Sequence, residues 1–85
     1  MDGQVFEIGD IVRDGEGRRL LVAWSNILRD GSMAPTVPVL VLDADGNDVD
    51  CIDIETASIA SIEQKAAFSF DDTRRRFWTF LASHQ

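Results

Sequence analysis

Six carboxylates fall within thirteen residues of this chain, Asp43, Asp45, Asp48, Asp50, Asp53 and Glu55, with no base among them. Hard cations take several oxygen ligands at once, so the stretch invites a calcium reading. The spacing fails that test. An EF-hand loop needs glycine at position six and a bidentate glutamate at position twelve. Counted from Asp43, Gly46 stands at position four and Ile54 at position twelve.

Nucleophilic chemistry finds no better footing. Cys51 is the single cysteine and His84 the single histidine, and no Gly-x-Ser-x-Gly elbow surrounds any serine. Gly15 and Gly17 lack the lysine and hydroxyl of a phosphate-binding loop. Paired carboxylates working as acid and base need a cleft that drives their pKa values apart, and a solvated acidic strand offers none. The expectation is a protein with no catalytic residue, no metal, no cofactor and no small-molecule substrate. Arg74-Arg75-Arg76, the one basic cluster, stands beside Phe77 and Trp78, which could stack on bases. Asp71, Asp72 and the acidic stretch compete for those arginines, and at least one is expected to pair internally. Direct nucleic-acid binding is not expected.

The acidic stretch belongs to a hairpin. Val37 to Leu42 is a nearly continuous apolar run, Ala44-Asp45-Gly46-Asn47 supplies a tight turn, and Val49, Ile52 and Ile54 resume the pattern. An earlier hairpin is expected from residues 8–13 against 18–25, reversed at Asp14-Gly15-Glu16-Gly17. Gly9 marks a bend or a close approach. Met1 to Gln4 read as a frayed end. Residues 25–36 carry little pattern and fit either one helical turn ended by Gly31 or an extended excursion. Pro35 and Pro38 weaken ladder bonding at the start of the next strand. Glu55-Thr56-Ala57 reads as a turn. Residues 58–67 fit a closing strand or a helix, since Ile59, Ile62 and Ala66 satisfy both spacings.

The tail is helical by pattern over about 71–83, with Asp71 or Asp72 as cap and Phe77, Phe80 and Leu81 on one face. So short a helix is marginal alone, and its aromatic face must pack on something. The expected core is Val12, Leu21, Ala23, Val39, Val41, Ile52, Ile59, Ile62, Phe77, Phe80 and Leu81.

Eighty-five residues make one domain, 1–85. With 45% hydrophobic and 27% charged residues the chain falls in the globular class. The net charge of −7 opposes simple phosphate-backbone binding. One cysteine excludes an internal disulfide and suits a reducing cytosol, with Cys51 itself expected as a small buried hydrophobe. No secretory signal and no eighteen-residue apolar run is visible, so a cytoplasmic protein away from membranes is expected.

Ile8-Gly9-Asp10-Ile11-Val12-Arg13, the glycine turn at 15–17 and the apolar Leu20 to Trp24 together resemble the opening of small bacterial SH3-like proteins and KOW-type domains. The resemblance spans about residues 5–63. It implies a mainly β fold: a small SH3-like barrel of about five antiparallel strands, a linker at 64–70 and a C-terminal α-helix. Barrels of this kind bind protein segments, RNA or ribosomal surfaces. The exposed aromatic cluster of peptide-binding SH3 domains is not carried over, since Trp24 is the one aromatic in the central portion and the chain has no tyrosine.

Two functions of different class follow. One is a small acidic interaction module that docks onto a protein partner or a second copy of itself. It would use its acidic face (Asp43, Asp45, Asp48, Asp50, Asp53, Glu55) and its helix (Arg74, Arg75, Arg76, Trp78). The other is an acidic inhibitor or DNA mimic that fills the basic channel of a nucleic-acid enzyme, with binding that weakens steeply in salt.

Overall fold

The computed structural model describes residues 5–84; the expectation for Met1–Gln4 lies outside them. Five strands come in order: β1 (Ile11–Asp14), β2 (Arg19–Val22), β3 (Thr36–Leu42), β4 (Asp48–Glu55) and β5 (Ile59–Gln64). A 3-10 turn, Thr56–Ser58, joins the last two, and helix α1 (Phe70–Ser83) follows. All pairings are antiparallel, in the spatial order β4-β3-β2-β1-β5.

The continuous apolar runs mean that the sheet is covered on both faces. Side chains alternate along a strand, so a one-sided sheet needs only every second residue apolar. On one face Phe6, Val12, Leu20, Val22, Val37, Val39, Ile54 and Ile59 form a single cluster. Ile54 on β4 and Ile59 on β5 share it although their strands are the two edges, so the sheet is strongly bent. On the other face Ile11, Leu21, Leu40 and Leu42 pack against Phe80 of α1. Leu20, Leu40, Val22, Val37 and Phe6 are fully buried core residues absent from the expected set, while Val41, Ile52, Ile62, Phe77 and Leu81 are only partly buried.

The expected SH3-like barrel is corrected here. The sheet is open: β4 pairs only with β3, β5 only with β1, and no ladder joins β4 to β5 among the described residues. With closure gone, so is the structural ground for the resemblance over residues 5–63. What stands is a small mainly β domain with five antiparallel strands and a C-terminal helix. The physical reason lies at the two edges. β5 carries two register shifts against β1, which twist its free edge away, and β4 lines its own edge with acidic residues.

Three local expectations resolve. Residues 59–64 are strand. The loop before β3 is an extended excursion, in which Ile27 bridges Met33 and Leu28 N–H donates nothing to a helix but bonds the Ser32 carbonyl at 2.8 Å. The helix cap is Ser69 rather than Asp71 or Asp72: its hydroxyl accepts from the Asp72 amide at 3.1 Å, and Asp71 and Asp72 sit in the first turn, at the positive end of the dipole. Ser69 wins because the chain is already pinned just before it, where the Phe68 amide donates to the Gly9 carbonyl at 3.2 Å.

Asp10 fastens the same corner. It is 1% exposed and its carboxylate accepts from the Glu7 amide (3.0 Å), the Ala66 amide (2.9 Å) and Lys65 Nζ (2.8 Å). Burial pushes its pKa up, but these donors outweigh burial and hold it below the usual 3.8. Asp14 is also buried. Burial raises its pKa too, and Arg18 together with the Arg18 and Glu16 amides lowers it further than burial lifts it. Depressed folded-state values stabilise the fold fully above the unfolded carboxyl range and lose that contribution as pH falls through the folded values. The thermal midpoint is therefore expected to hold steady from about pH 7 to about pH 5 and to fall by about 5 °C or more below about pH 4. The Asp10→Asn variant should show a shallower decline; an identical one would remove Asp10 from the account.

Candidate functional site

The expected site residues fall into two groups in space. The β3–β4 turn uses part of the acidic stretch for itself. Asp43 Oδ1 accepts from the Asp45 and Asn47 amides, both at 2.9 Å, and Gly46 takes φ +84°, which closes the reversal. The Asn47 amide heads the donors that hold the Asp43 carboxyl below its usual value. The β1–β2 turn repeats the device, with Asp14 Oδ1 accepting from the Glu16 and Arg18 amides. Composition in the sequence places these turns at Ala44-Asp45-Gly46-Asn47 and Asp14-Gly15-Glu16-Gly17, and leaves Asp43 out of the first.

Asp48 is also engaged within the chain. Arg76 grips it through Nη2 at 2.6 Å and Nε at 3.1 Å, and the same Nη2 donates to the Gly46 carbonyl at 2.9 Å. This two-point clamp ties the hairpin tip to α1, and the Arg76 guanidinium also lies 4.7 Å from the Phe68 ring centroid. Arg75 pairs with Asp72 at 3.2 Å on the surface. Asp45, Asp50, Asp53 and Glu55 have no ion-pair partner among the described residues. Cys51 lies half-buried on the helix side, and burial, then Asp53, Asp50 and Asp48, push its thiol pKa up. That environment suppresses the thiolate.

Arg74 has a different surrounding. Its guanidinium lies 4.9 Å from the Trp24 ring centroid and 5.7 Å from those of Phe70 and Trp78. Each ring remains about half exposed: Trp24 46%, Phe70 53%, Trp78 55%. Three rings share one cation in contact with water. Alongside runs an apolar groove of about 280 Å³, floored by Ala23, Pro38 and Phe77 and walled by Trp24 and Trp78. The sheet builds the floor: the Ala23 amide donates to the Pro38 carbonyl at 2.9 Å, which carries the chain straight into Trp24. Trp24 and Phe70 were missed as site residues. They lie 46 residues apart in the chain, and no local spacing signals that they meet.

His84 belongs to the helix end and not to a reactive pair. Its ring stacks on Phe80 with centroids 3.9 Å apart, and Nδ1 donates to the Phe80 carbonyl at 2.9 Å. Among the described residues no three His, Cys, Asp or Glu side chains converge as a metal-holding group, and no helix is long and apolar enough to cross a membrane.

The chain matches no protein-family model, no curated protein and no solved structure.

Proposed function

We propose that this chain is a non-enzymatic protein-interaction module that docks through helix α1 and the acidic hairpin. The observation that carries the reading is the aromatic groove. Trp24, Phe70 and Trp78 stand half exposed around Arg74, at the edge of an apolar trough that no side chain among the described residues fills. Exposed tryptophans beside an arginine are the residues that dominate binding energy in protein interfaces. Burying a ring in water's place stabilises a complex, and leaving three of them wet has no benefit for this fold. The fitting partner inserts an aliphatic or proline side chain into the trough and sets a carboxylate against Arg74, whose charge meets no carboxylate among the described residues.

The alternative, an acidic inhibitor or DNA mimic, draws less support. Asp43 is spent on its own turn and Asp48 on Arg76, which leaves a sparser acidic face than the sequence suggests.

Wild-type protein and the Trp78→Ala and Arg74→Ala variants serve as baits in lysate of the source organism, washed at low and high salt. Truncating a central anchor typically costs about 2 kcal/mol or more, roughly thirtyfold in affinity. The expected result is a protein retained by the wild type at both salt concentrations and lost with either variant, each variant remaining folded. Retention independent of Trp78 would overturn the groove, and a nucleic-acid enzyme released by salt alone would favour the inhibitor.

A further inference from the structure

Among the described residues, the open side of the sheet has the form of a strand position that no strand takes. Between the edge of β4 and the start of β5 lies a cavity of about 580 Å³, with Ile52 and Ile54 on the β4 side and Ala57 and Ala60 across from them. The β1–β2 turn closes one end. Backbone geometry shows what the β4 edge presents. The Pro38 carbonyl accepts from Ala23, so the backbone groups of Pro38 face β2. In an antiparallel ladder such a residue forms a non-hydrogen-bonded pair with its partner on the other side. That partner is Asp53, whose N–H and C=O therefore face the opening, as does the N–H of Glu55 two residues on, whose C=O is taken up by the 3-10 turn that it caps.

These features define the occupant. Unpaired N–H and C=O groups along a strand are satisfied by another extended backbone. Ile52 and Ile54, two apart on the inner face, call for apolar residues at every second position of the guest. The rim is acidic: Asp53, Glu55 and Glu16 have no ion-pair partner among the described residues, while Arg18, the one base on the rim, is held by Asp14 at 2.7 Å. A second copy of the chain is a poor guest, since each copy carries −7 and either free edge brings its own carboxylates.

We propose that the β4–β5 opening receives an extended basic segment of a protein partner, lysine or arginine alternating with apolar residues, as a sixth strand along the edge of β4. This deepens the docking-module reading for the acidic hairpin and uses a surface separate from the aromatic groove. The competing role for the same carboxylates is to guard a bare edge against self-pairing, and the two roles give opposite results.

The experiment titrates isotopically labelled protein with a blocked eight-residue peptide alternating lysine and valine, and with its glutamate–valine counterpart. Amide spectra and amide exchange are read together. The expected result is shifts confined to residues 52–60, with exchange of the Asp53 and Glu55 amides slowed about tenfold or more. The Asp53→Asn, Glu55→Gln double variant should weaken binding at least about fivefold, Trp78→Ala should leave it unchanged, and the acidic peptide should not bind. Equal shifts near Asp45 and Asp71 would reveal diffuse charge attraction and overturn the proposal. So would a wild type that ignores the peptide while the double variant self-associates, the signature of a guard. Loss of lysate partners on Trp78→Ala with no peptide binding would leave the groove standing and remove the strand site alone.

Discussion

Replacing Gly9 by alanine is expected to lower the unfolding free energy by about 3 kcal/mol or more. Gly9 holds φ +98°, and a Cβ placed there would lie 2.1 Å from the Phe68 carbonyl oxygen and 3.5 Å from Thr73 Oγ1. Positive φ alone costs a non-glycine residue about 1 kcal/mol. The larger part comes from the contact, because the obstacle is backbone and not the end of a flexible side chain. Gly9 also donates its amide to the Val22 carbonyl at 2.9 Å and accepts from the Phe68 amide. One residue thus joins the start of β1, the end of β2 and the approach to α1. Relief of the clash would pull Phe68 away and take Ser69 and the buried Thr73 with it. Urea denaturation of both proteins measures the effect. A difference under about 1 kcal/mol would mean that the 66–69 segment yields easily and does not anchor the helix.

Phe80→Ala is expected to cost about 3–4 kcal/mol, a large share of the stability of a domain this size. Phe80 is the one helix residue buried into the sheet's outer cluster, against Ile11, Leu21, Leu40 and Leu42. Truncation would open a cavity under α1 and remove the ring on which His84 stacks. Undocking would also release Arg76 from Asp48 and spread the rings around Arg74, so the groove depends on this one contact. Trp78→Ala is the matched control: more than half exposed, it should cost under about 1 kcal/mol. Denaturation midpoints with helical circular dichroism separate the outcomes. Equal losses at the two positions would show that the helix docks through its outer face instead.

The hairpins and the helix were legible because their signals are local. An apolar run, a glycine-bearing reversal and an i, i+3, i+4 aromatic spacing each act within a few residues. The unbroken apolar character of Leu20–Val22 and Val39–Leu42 fits the two covered faces of the folded sheet. β5 was ambiguous for an identifiable reason. Asp14 pairs with Ile59 and Arg13 with Ser61, so Ala60 is an extra residue in the ladder. That bulge brings Ile59 and Ile62, three apart, to one face, which a regular strand forbids and a helix allows. The register of a neighbour, not the strand itself, settles such a spacing.

Sequence alone determined the hairpins, the C-terminal helix, the acidic balance and the internal pairing of at least one arginine of the cluster, which Arg75 and Arg76 both show. Only the tertiary structure decided whether the sheet closes, because closure depends on how far β5 is twisted by its bulges and what β4 shows at its edge. It also decided which charges remain available. Asp10 reads as a solvated acid until Lys65 and Ala66 arrive from 55 and 56 residues away, and Arg74 reads as one of three equal bases until Trp24 comes beneath it. Such meetings are set by the packing of whole faces, whose energy is spread over many contacts and leaves no mark at the residues it brings together.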